Sequence, residues 1–422
     1  MNRPKLPALI LAVVAGVAPG RAGAAEPATG GVGVLSSAVT AKAVVIGRFS
    51  QPTRLDLHGR AAELRVDQTL RGHLQAGATL RVAWEELSQA RPDRFADGQR
   101  VLLCLEPLPT QSLWRKRFPD PGDQRRAMVV AAGGRAFVRE PGAETSHALQ
   151  HYLAMAPSAR SGGAGHPYLV DLVATAEPGL AGDALAHLAA DDELNRRLPA
   201  ASAIVLARVA GKKDRPVELR RNVLDVIGKR EVAAARPVVA DLAGRPDTDT
   251  DIDATALLAL ARLDDGLPPD QVEQLLTDER AALRAVAARF VAGEDTQERL
   301  ARLVQNDPAP EVRLAAVSTL LERDGVDAVQ ATLPALADTD STVRSEAARK
   351  IGTLGEPVVP SLKAVVDGTS RRSAEGAVVA LSFAGAGGLA AIREIAHSHP
   401  DEKIRNLAGL ALGQAPGHTH GD

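Results

Sequence analysis

The chain has 422 residues, which is enough for two or three domains with a sizeable buried core. Hydrophobic residues make up 45% of it but aromatic residues only 2%, so the core must be filled by Ala, Leu and Val, which suit closely stacked helices. The formal net charge of −2 excludes a protein that binds nucleic acid over its whole surface, because that function needs a strongly basic face.

The N-terminus has the pattern of a secretion signal. Arg3 and Lys5 precede an apolar stretch at 6–18, and the small residues 22–24 form a cleavage site. The apolar stretch is too short for a helix that spans a bilayer. We therefore expect residues 1–25 to be a cleaved signal peptide of a periplasmic or secreted protein with no integral membrane segment after cleavage. The alternative is an uncleaved anchor.

Residues 34–142 predict a small all-β barrel or sandwich. Apolar runs and segments that alternate apolar and polar residues predict short strands, the last two as a hairpin, at 43–49, 62–67, 79–84, 101–105, 128–132 and 135–139. Trp114 and Phe118 enclose three cations in a loop of this region. That loop is either a contact for an anionic surface or an amphipathic loop packed on the barrel.

The strand order, with Leu70-Arg71-Gly72 after the second strand and Gly98 before the fourth, resembles small OB-like barrels of the netrin/TIMP-like type. The inhibitors among them use an N-terminal cysteine and disulfides, whereas this chain has one cysteine, Cys104, in an apolar run. Metalloprotease inhibition is therefore not implied. A single cysteine cannot form an intrachain disulfide, and we expect a buried, inert thiol. Residues 143–165 predict a short helix and then a flexible linker rich in Ser and Gly, where we place the domain boundary.

A repeat of about thirty residues fills the rest of the chain. A residue that opens a helix recurs seven times, and each is followed eight positions later by an apolar residue; these markers are Leu219, Ile252, Leu283, Val312, Val343, Ser373 and Ile404. Ala stands four positions after most markers and lets helices approach closely. Neither helix of a pair can bury its apolar face alone, so the pairs must stack. We expect an all-α solenoid of seven to eight pairs over 166–414 and a disordered tail at 415–422.

The segment Asp307-Pro308-Ala309-Pro310-Glu311-Val312-Arg313 and its repeat at Asp338–Arg344 resemble HEAT repeats of the short bacterial kind. This resemblance implies an α-α superhelix in which turn residues form a structural ladder between neighbouring pairs: Asp278, Arg284, Asp307, Arg313, Asp338 and Arg344. It also implies that the second helix of each pair lines a concave face. The surface candidates there, six positions after the markers, are Asp225, Arg289, Ser318 and Arg349. The alternative for each is an ordinary solvated position.

Catalytic motifs are missing from the sequence: it has no phosphate-binding Gly loop, Gly-x-Ser-x-Gly elbow or Cys-x-x-Cys pair. HEAT-like repeats also occur in bilin lyases, which export disfavours, and in a di-iron hydroxylase whose His-Glu ligand pairs are missing here. His147 and His151 have the spacing of two metal ligands on a helix but lack a third, which favours surface residues. His418 and His420 lie in the tail, which is a weak Zn or Cu candidate.

The sequence therefore predicts an exported, non-enzymatic scaffold or adaptor. It binds a protein partner through the concave face of the solenoid and uses no cofactor and no nucleic acid. The alternative is an envelope enzyme, or a subunit of one, whose activity lies in the β-domain or depends on a partner.

Overall fold

The computed structural model of the protein describes residues 33–85, 95–109, 113–118, 120, 122, 124, 127–244 and 249–414. The predicted signal peptide at 1–25 and the predicted tail at 415–422 lie outside the described residues. The chain forms two compact units that meet in sequence between Asp265 and Gly266, and each is described by itself.

A closed β-barrel begins the first unit. Its strands are β1 (Ala43–Arg54), β2 (Gly59–Arg71), β3 (Thr79–Glu85), β4 (Arg100–Pro107), β5 (Ala127–Val130) and β6 (Phe137–Arg139). The strand order is β1-β2-β3-β5-β4, and β1 pairs with β4 to close the ring. β3 and β5 run parallel, whereas the other neighbours are antiparallel. This is a small OB-like barrel, as predicted from the sequence.

The apolar runs of β1 and β4 are explained by burial on both strand faces. One face points into the barrel, where Val45 and Leu103 belong to the interior core. The opposite face carries Val44, Ile46 and Leu102, which pack into a second core made with helices. A strand that is covered on both sides needs apolar residues at every position, so its sequence shows no alternation.

The interior of the barrel collects several of the chain's few aromatic side chains. Phe49, Trp84, Phe95 and Phe137 form a chain of contacts with ring centroids 4.8–5.4 Å apart. Edge-to-face and tilted arrangements of this kind add to the free energy gained by burying the rings.

The predicted final hairpin is wrong in its pairing. β5 and β6 do not pair with each other; a short helix, α3 (Ala131–Gly134), connects them, and each pairs with a different part of β4. β5 also adds to β3, which closes the barrel. Two adjacent apolar segments in a sequence do not reveal which strand edge is left open, and here β4 offers an edge long enough for both.

The segment 143–165 contains the predicted short helix and, in the stretch predicted as a flexible linker, a second short helix. It holds α4 (Ala143–Ala154) and α5 (Pro157–Ser161). Leu149 and Tyr152 of α4 are buried in the core shared by the outer barrel face and the helices that follow. A methyl group on Gly165 would lie 2.8 Å from the Tyr152 ring, so this glycine serves a close approach of the backbone. Gly165 thus takes part in the packing around α4, whereas α5 has no buried residue.

The remaining elements are helices. In the first unit they are α1 (Val34–Thr40), α2 (Leu113–Arg117), α6 (His166–Thr175), α7 (Pro178–Ala189), α8 (Leu194–Arg197), α9 (Ala200–Ala210), α10 (Val217–Lys229), α11 (Arg236–Ala243) and α12 (Thr250–Leu263). In the second unit they are α13 (Pro269–Leu276), α14 (Ala281–Ala288), α15 (Thr296–Asn306), α16 (Pro310–Asp324), α17 (Val329–Thr332), α18 (Ser341–Gly352), α19 (Val359–Val366), α20 (Arg371–Ser382), α21 (Gly385–Ser398) and α22 (Glu402–Gln414). Within the described part of the chain, no helix has the length and apolar character needed to cross a membrane.

The predicted repeat is a series of helix pairs. All of the apolar markers lie in the second helix of a pair and are buried; they are Leu219, Ile252, Leu283, Val312, Val343 and Ile404. Ser373, the polar marker, is half-buried and hydrogen-bonded to Ser370, the N-cap of α20. The alanines that stand four positions after the markers are fully buried: Ala256, Ala287, Ala316, Ala347, Ala377 and Ala408. The all-α HEAT-like region predicted after the barrel is confirmed.

A ladder of turn residues links consecutive helix pairs of the second unit. The Arg284 guanidinium donates to both carboxylate oxygens of Asp307 at 3.0 Å. One pair further on, Arg313 donates to both oxygens of Asp338 at 2.7 and 2.6 Å. Such two-point contacts fix geometry as well as charge. Because the side chains of Arg313 and Asp338 are only 10% and 5% exposed, water does not compete well for them.

The ends of the ladder differ from its centre. Asp278 at the start pairs with its neighbour Arg280. Arg344 at the other end binds the carbonyls of its own turn, and the next turn offers Gly368 where an aspartate is expected. In the first unit Arg220 is buried and donates to the carbonyl of Ala210, while Asp247 lies outside the described residues.

Gly352 closes the contact between α18 and α20. A methyl group there would collide with the backbone oxygen of Ala380 and lie 2.7 Å from Cβ of Phe383. We expect Gly352→Ala to lower the free energy of unfolding by about 2–3 kcal/mol, because the two helices must move apart. Gly409→Ala in α22 is the matched control: with open space around it, it should stabilise by about 0.5–1 kcal/mol. Urea titrations measure both, and equal effects of the two variants would contradict the packing role of Gly352.

The Asp338 carboxylate should make the protein sensitive to acid. Burial alone would raise the pKa of Asp338, but hydrogen bonds from Arg313 and from the Asp340 amide outweigh it and hold the pKa below its usual range. A carboxylate with a lowered pKa in the folded state stabilises the protein fully above about pH 4, and the contribution disappears as the pH falls through the folded-state pKa.

We therefore expect Asp338→Asn to lower the free energy of unfolding at pH 7 by about 2–3 kcal/mol, because Arg313 loses its charged partner. The variant should also lose less stability than the parent between pH 5 and about pH 2. Asp327→Asn, at an exposed position, is the control and should stay within about 0.5 kcal/mol of the parent. Parallel pH profiles for the parent and Asp338→Asn would refute the ladder's contribution.

Candidate functional site: the exposed row of second helices

Three of the predicted binding residues lie in the second helices of the second unit. Arg289 follows the last residue of α14 and is exposed, Ser318 in α16 is half-buried, and Arg349 in α18 is exposed. They stand one helix pair apart, so stacking aligns them as a row on successive second helices. We call this row, with its neighbours Glu322, Glu346 and Lys350, the second-helix row.

Most charges of the second-helix row are paired within the chain. Arg349 donates to Glu346 one turn earlier at 2.7 and 3.1 Å. Lys350 reaches back to Glu322 of the preceding pair at 3.3 Å. These pairs are exposed and contribute little to stability, so a partner can replace them at low cost. Arg289, at the end of the row, is the cation best placed to meet an acidic partner.

Asp225 belongs to the first unit and has a different environment. Its carboxylate contacts Lys229 on the same helix at 2.6 Å and Arg262 of the next helix pair at 3.2 Å. The side chain links α10 to α12, so its charge is balanced by two cations of the chain. Three further positions that lie six residues after a marker are apolar, and they differ in exposure. Leu410 is 46% exposed, whereas Leu258 and Val379 are half-buried.

A second row of contacts connects the first helices of successive pairs. This row is not among the predictions made from the sequence. Arg299 contacts Glu273 at 2.5 Å, Gln330 contacts Ser361 at 3.0 Å, and Lys363 contacts Glu394 at 2.6 Å. The partners are 26–31 residues apart in sequence. A search for complementary polar residues at the repeat period would have revealed this row.

The two histidines with metal-ligand spacing are engaged in ring contacts. The imidazoles of His147 and His151 lie 4.3 Å apart, and His151 stacks on Tyr168 with a centroid distance of 5.4 Å. Within the described residues, no group of three or more His, Cys, Asp or Glu side chains is arranged to hold a metal ion.

The loop between Trp114 and Phe118 packs on the barrel. Both aromatic side chains are buried, and the Arg117 guanidinium lies 4.4 Å above the Trp114 ring. Arg117 also pairs with Asp56 at 2.5 Å and with Glu85 at 3.0 Å, and its side chain is 9% exposed. Arg117 lowers the pKa of Asp56 to about 2. This arrangement favours the packed loop over a contact for an anionic surface, because Arg117 is already neutralised.

Two buried groups of the first unit are placed by the surrounding core. Cys104 is fully buried, and burial raises the pKa of its thiol to about 12, which fits the inert thiol expected from the sequence. His166, at the start of α6, lies 3.1 Å from the Asp191 carboxylate, which Arg197 also contacts. Burial is the main cause that lowers the pKa of His166. Nothing in the sequence reveals this pair, because the partners are distant in the chain.

A small pocket opens on the barrel. Its volume is about 210 Å³, and its lining includes Trp84, Glu85, Glu106 and Trp114. Glu85 already binds Arg117, so Glu106 is the lining carboxylate without that restraint.

Comparison with family models matches one part of the chain. Residues 296–382, from α15 through α20, match HEAT repeats. These residues include the centre of the Arg–Asp ladder and most of the second-helix row. The comparison with curated proteins gave no match.

Two solved structures are similar to the chain at low identity. One is human deoxyhypusine hydroxylase in complex with glycerol, at 17% identity and a TM-score of 0.31 over 61% of this chain and 98% of that one. The other is a chain from a structure in which Kap95p binding induces the switch loops of RanGDP to adopt the GTP-bound conformation. The identity is 14% and the TM-score 0.33, over 63% of this chain and 41% of that one. The TM-scores are too low to transfer an activity or a partner. The protein thus carries HEAT repeats after an N-terminal β-barrel region.

Proposed function

We propose that the protein is an exported scaffold that binds a protein partner through the concave face lined by its second helices. The observation that carries this proposal is the second-helix row itself. Successive HEAT helix pairs present polar and charged side chains at a fixed spacing, and their pairing is weak enough to exchange for contacts with a partner. HEAT repeats suggest an interaction scaffold, and the second-helix row is the surface with which we expect this scaffold to bind its partner.

The proposal that the protein is exported is based on the N-terminal sequence alone. Arg3 and Lys5, the apolar stretch at 6–18 and the small residues at 22–24 have the order of a secretory signal peptide. The partner is then a protein of the periplasm or the extracellular space.

The alternative function is an envelope enzyme or an enzyme subunit. The barrel pocket favours it, because a concave site with Glu106 and two tryptophans suits a small ligand. An activity of the purified protein that is lost in Glu106→Gln, with partner binding unaffected, would support this alternative.

We expect the mature protein to begin at Ala25 or Glu26 when the full gene is expressed in a Gram-negative host. The signal peptidase removes the apolar segment during export. Mass spectrometry of the intact protein from the periplasmic fraction measures this. A control with Leu11→Arg and Val13→Arg should stay in the cytoplasm with its N-terminus uncleaved. Recovery of the parent from the cytoplasm with an intact N-terminus would refute export.

Charge reversal on the second-helix row should weaken partner binding. We expect Arg289→Glu with Arg349→Glu to reduce affinity at least tenfold, about 1.4 kcal/mol, because both cations turn into anions facing an acidic partner. The partner is first recovered from envelope extracts by crosslinking to the parent protein, and its affinity is then measured with purified components.

The matched control reverses two exposed arginines on first helices, Arg302→Glu with Arg393→Glu. It carries the same change in net charge and should bind as the parent does. Equal loss in both double variants would indicate a general charge effect, and no loss in either would contradict the proposed surface. Full-length protein is required, because cutting at residue 165 would expose Leu169 and Leu172, which pack in the core shared with the barrel.

A further inference from the structure

One turn of the second unit lacks the arginine that the other turns share. In four turns, the residue after the marker is an arginine whose Nη1 donates to the carbonyls five and six residues earlier. The donor–acceptor distances are 2.6–3.2 Å, and the arginines are Arg284, Arg313, Arg344 and Arg405. The repeated geometry shows that the turn backbone is shaped to receive a guanidinium group.

At the turn before α20 the equivalent residue is Ala374. The carbonyls that an arginine would reach from there belong to Gly368 and Thr369, and the position of the ladder aspartate in the next turn is His399. Since an alanine side chain ends at Cβ, nothing from residue 374 can donate to these carbonyls. The space is an open pocket of about 430 Å³, lined by all four of these residues.

His399 preserves the shape of the ladder position without its charge. Its Nδ1 accepts a hydrogen bond from the Asp401 amide at 3.1 Å, just as Asp338 accepts one from the Asp340 amide at 2.8 Å. With Nδ1 as an acceptor, the proton is on Nε2, which lies 3.3 Å from the carbonyl of Val366. The turn therefore keeps its backbone geometry around an imidazole ring.

The charges at the rim favour a cation. Asp367 and Asp401 both line the pocket. Arg371 is the cation of the lining, and it pairs with Glu375 one turn along α20 at 3.2 Å. The Lys403 amide, and to a smaller extent the charge of Arg371, lower the pKa of Asp401. The pocket thus combines a pair of carbonyl acceptors with two carboxylates, and a planar guanidinium meets such acceptors better than an ammonium does.

We propose that this pocket, the vacant ladder site, binds an arginine side chain of a protein partner. The guanidinium occupies the place that Arg284, Arg313, Arg344 and Arg405 occupy in their own turns. The site lies on the turns and not on the second-helix row, so its failure leaves the proposed scaffold function untouched.

The first experiment compares probes on the full-length protein. Acetyl-Gly-Arg-Gly-amide and its lysine counterpart are titrated while NMR follows the Ala374 methyl group and the His399 ring. We expect the arginine peptide to shift both signals and to bind about tenfold more tightly than the lysine peptide, because only the guanidinium reaches two acceptors at once. Equal affinities, or no shift with either peptide, would overturn the proposal. Tighter binding of free arginine than of the peptide would contradict a protein as the source.

The second experiment fills the site from within. Ala374→Arg gives this turn the arginine of its neighbours and should abolish binding of the arginine peptide, with the His399 ring signal shifted as in the saturated parent. Asp401→Asn keeps a side-chain oxygen for the Lys403 amide but removes the charge, and should weaken binding about threefold to tenfold. Since Asp401 is at the surface, this variant keeps the test valid even if the arginine variant does not fold. Undiminished binding in either variant would overturn the proposal.

Discussion

The structure depends on a simple constraint: a short amphipathic helix pair cannot cover its own apolar face. In the second unit each pair is covered by the next, and the contact is close because Ala287, Ala316, Ala347 and Ala377 have no more than a methyl group. Gly352 allows an even closer approach, to the backbone of α20. Close stacking then brings the turns within reach of each other, and only at that distance can Arg313 bind Asp338. The ladder is therefore a consequence of small residues between helices.

The same constraint explains the first unit, although its architecture is different. The outer faces of β1 and β4 carry Val44, Ile46 and Cys104, and α1, α4 and α6 cover them in a single core. The barrel therefore does not end where its last strand ends. Its outer surface and the first helices are stabilised by the same buried area, to which α4 contributes Leu149 and Tyr152.

These facts separate the structural charges of the chain from the charges available to a partner. Arg284 and Arg313 are held by buried aspartates, and Arg117 and Asp225 are balanced within the first unit. The second-helix row is exposed and weakly paired, whereas the vacant ladder site is a gap in an otherwise regular network. Both surfaces follow from the repeat, the first through its regular spacing and the second through a local departure from it.

The sequence by itself determined the two architectures, because both follow from local periodicity: alternation and apolar runs for the barrel, and seven markers about thirty residues apart for the helix pairs. The central residues of the Arg–Asp ladder, Arg284, Asp307, Arg313 and Asp338, also followed from the sequence, through a resemblance that marks those turn positions. Only the tertiary structure decided how β5 and β6 divide the edge of β4, that α4 packs against the outer barrel face, and that Asp225 and Arg117 are neutralised. Each of these depends on contacts between residues far apart in the chain, and local patterns contain no information about which distant partner fills an open edge or pairs with a charge.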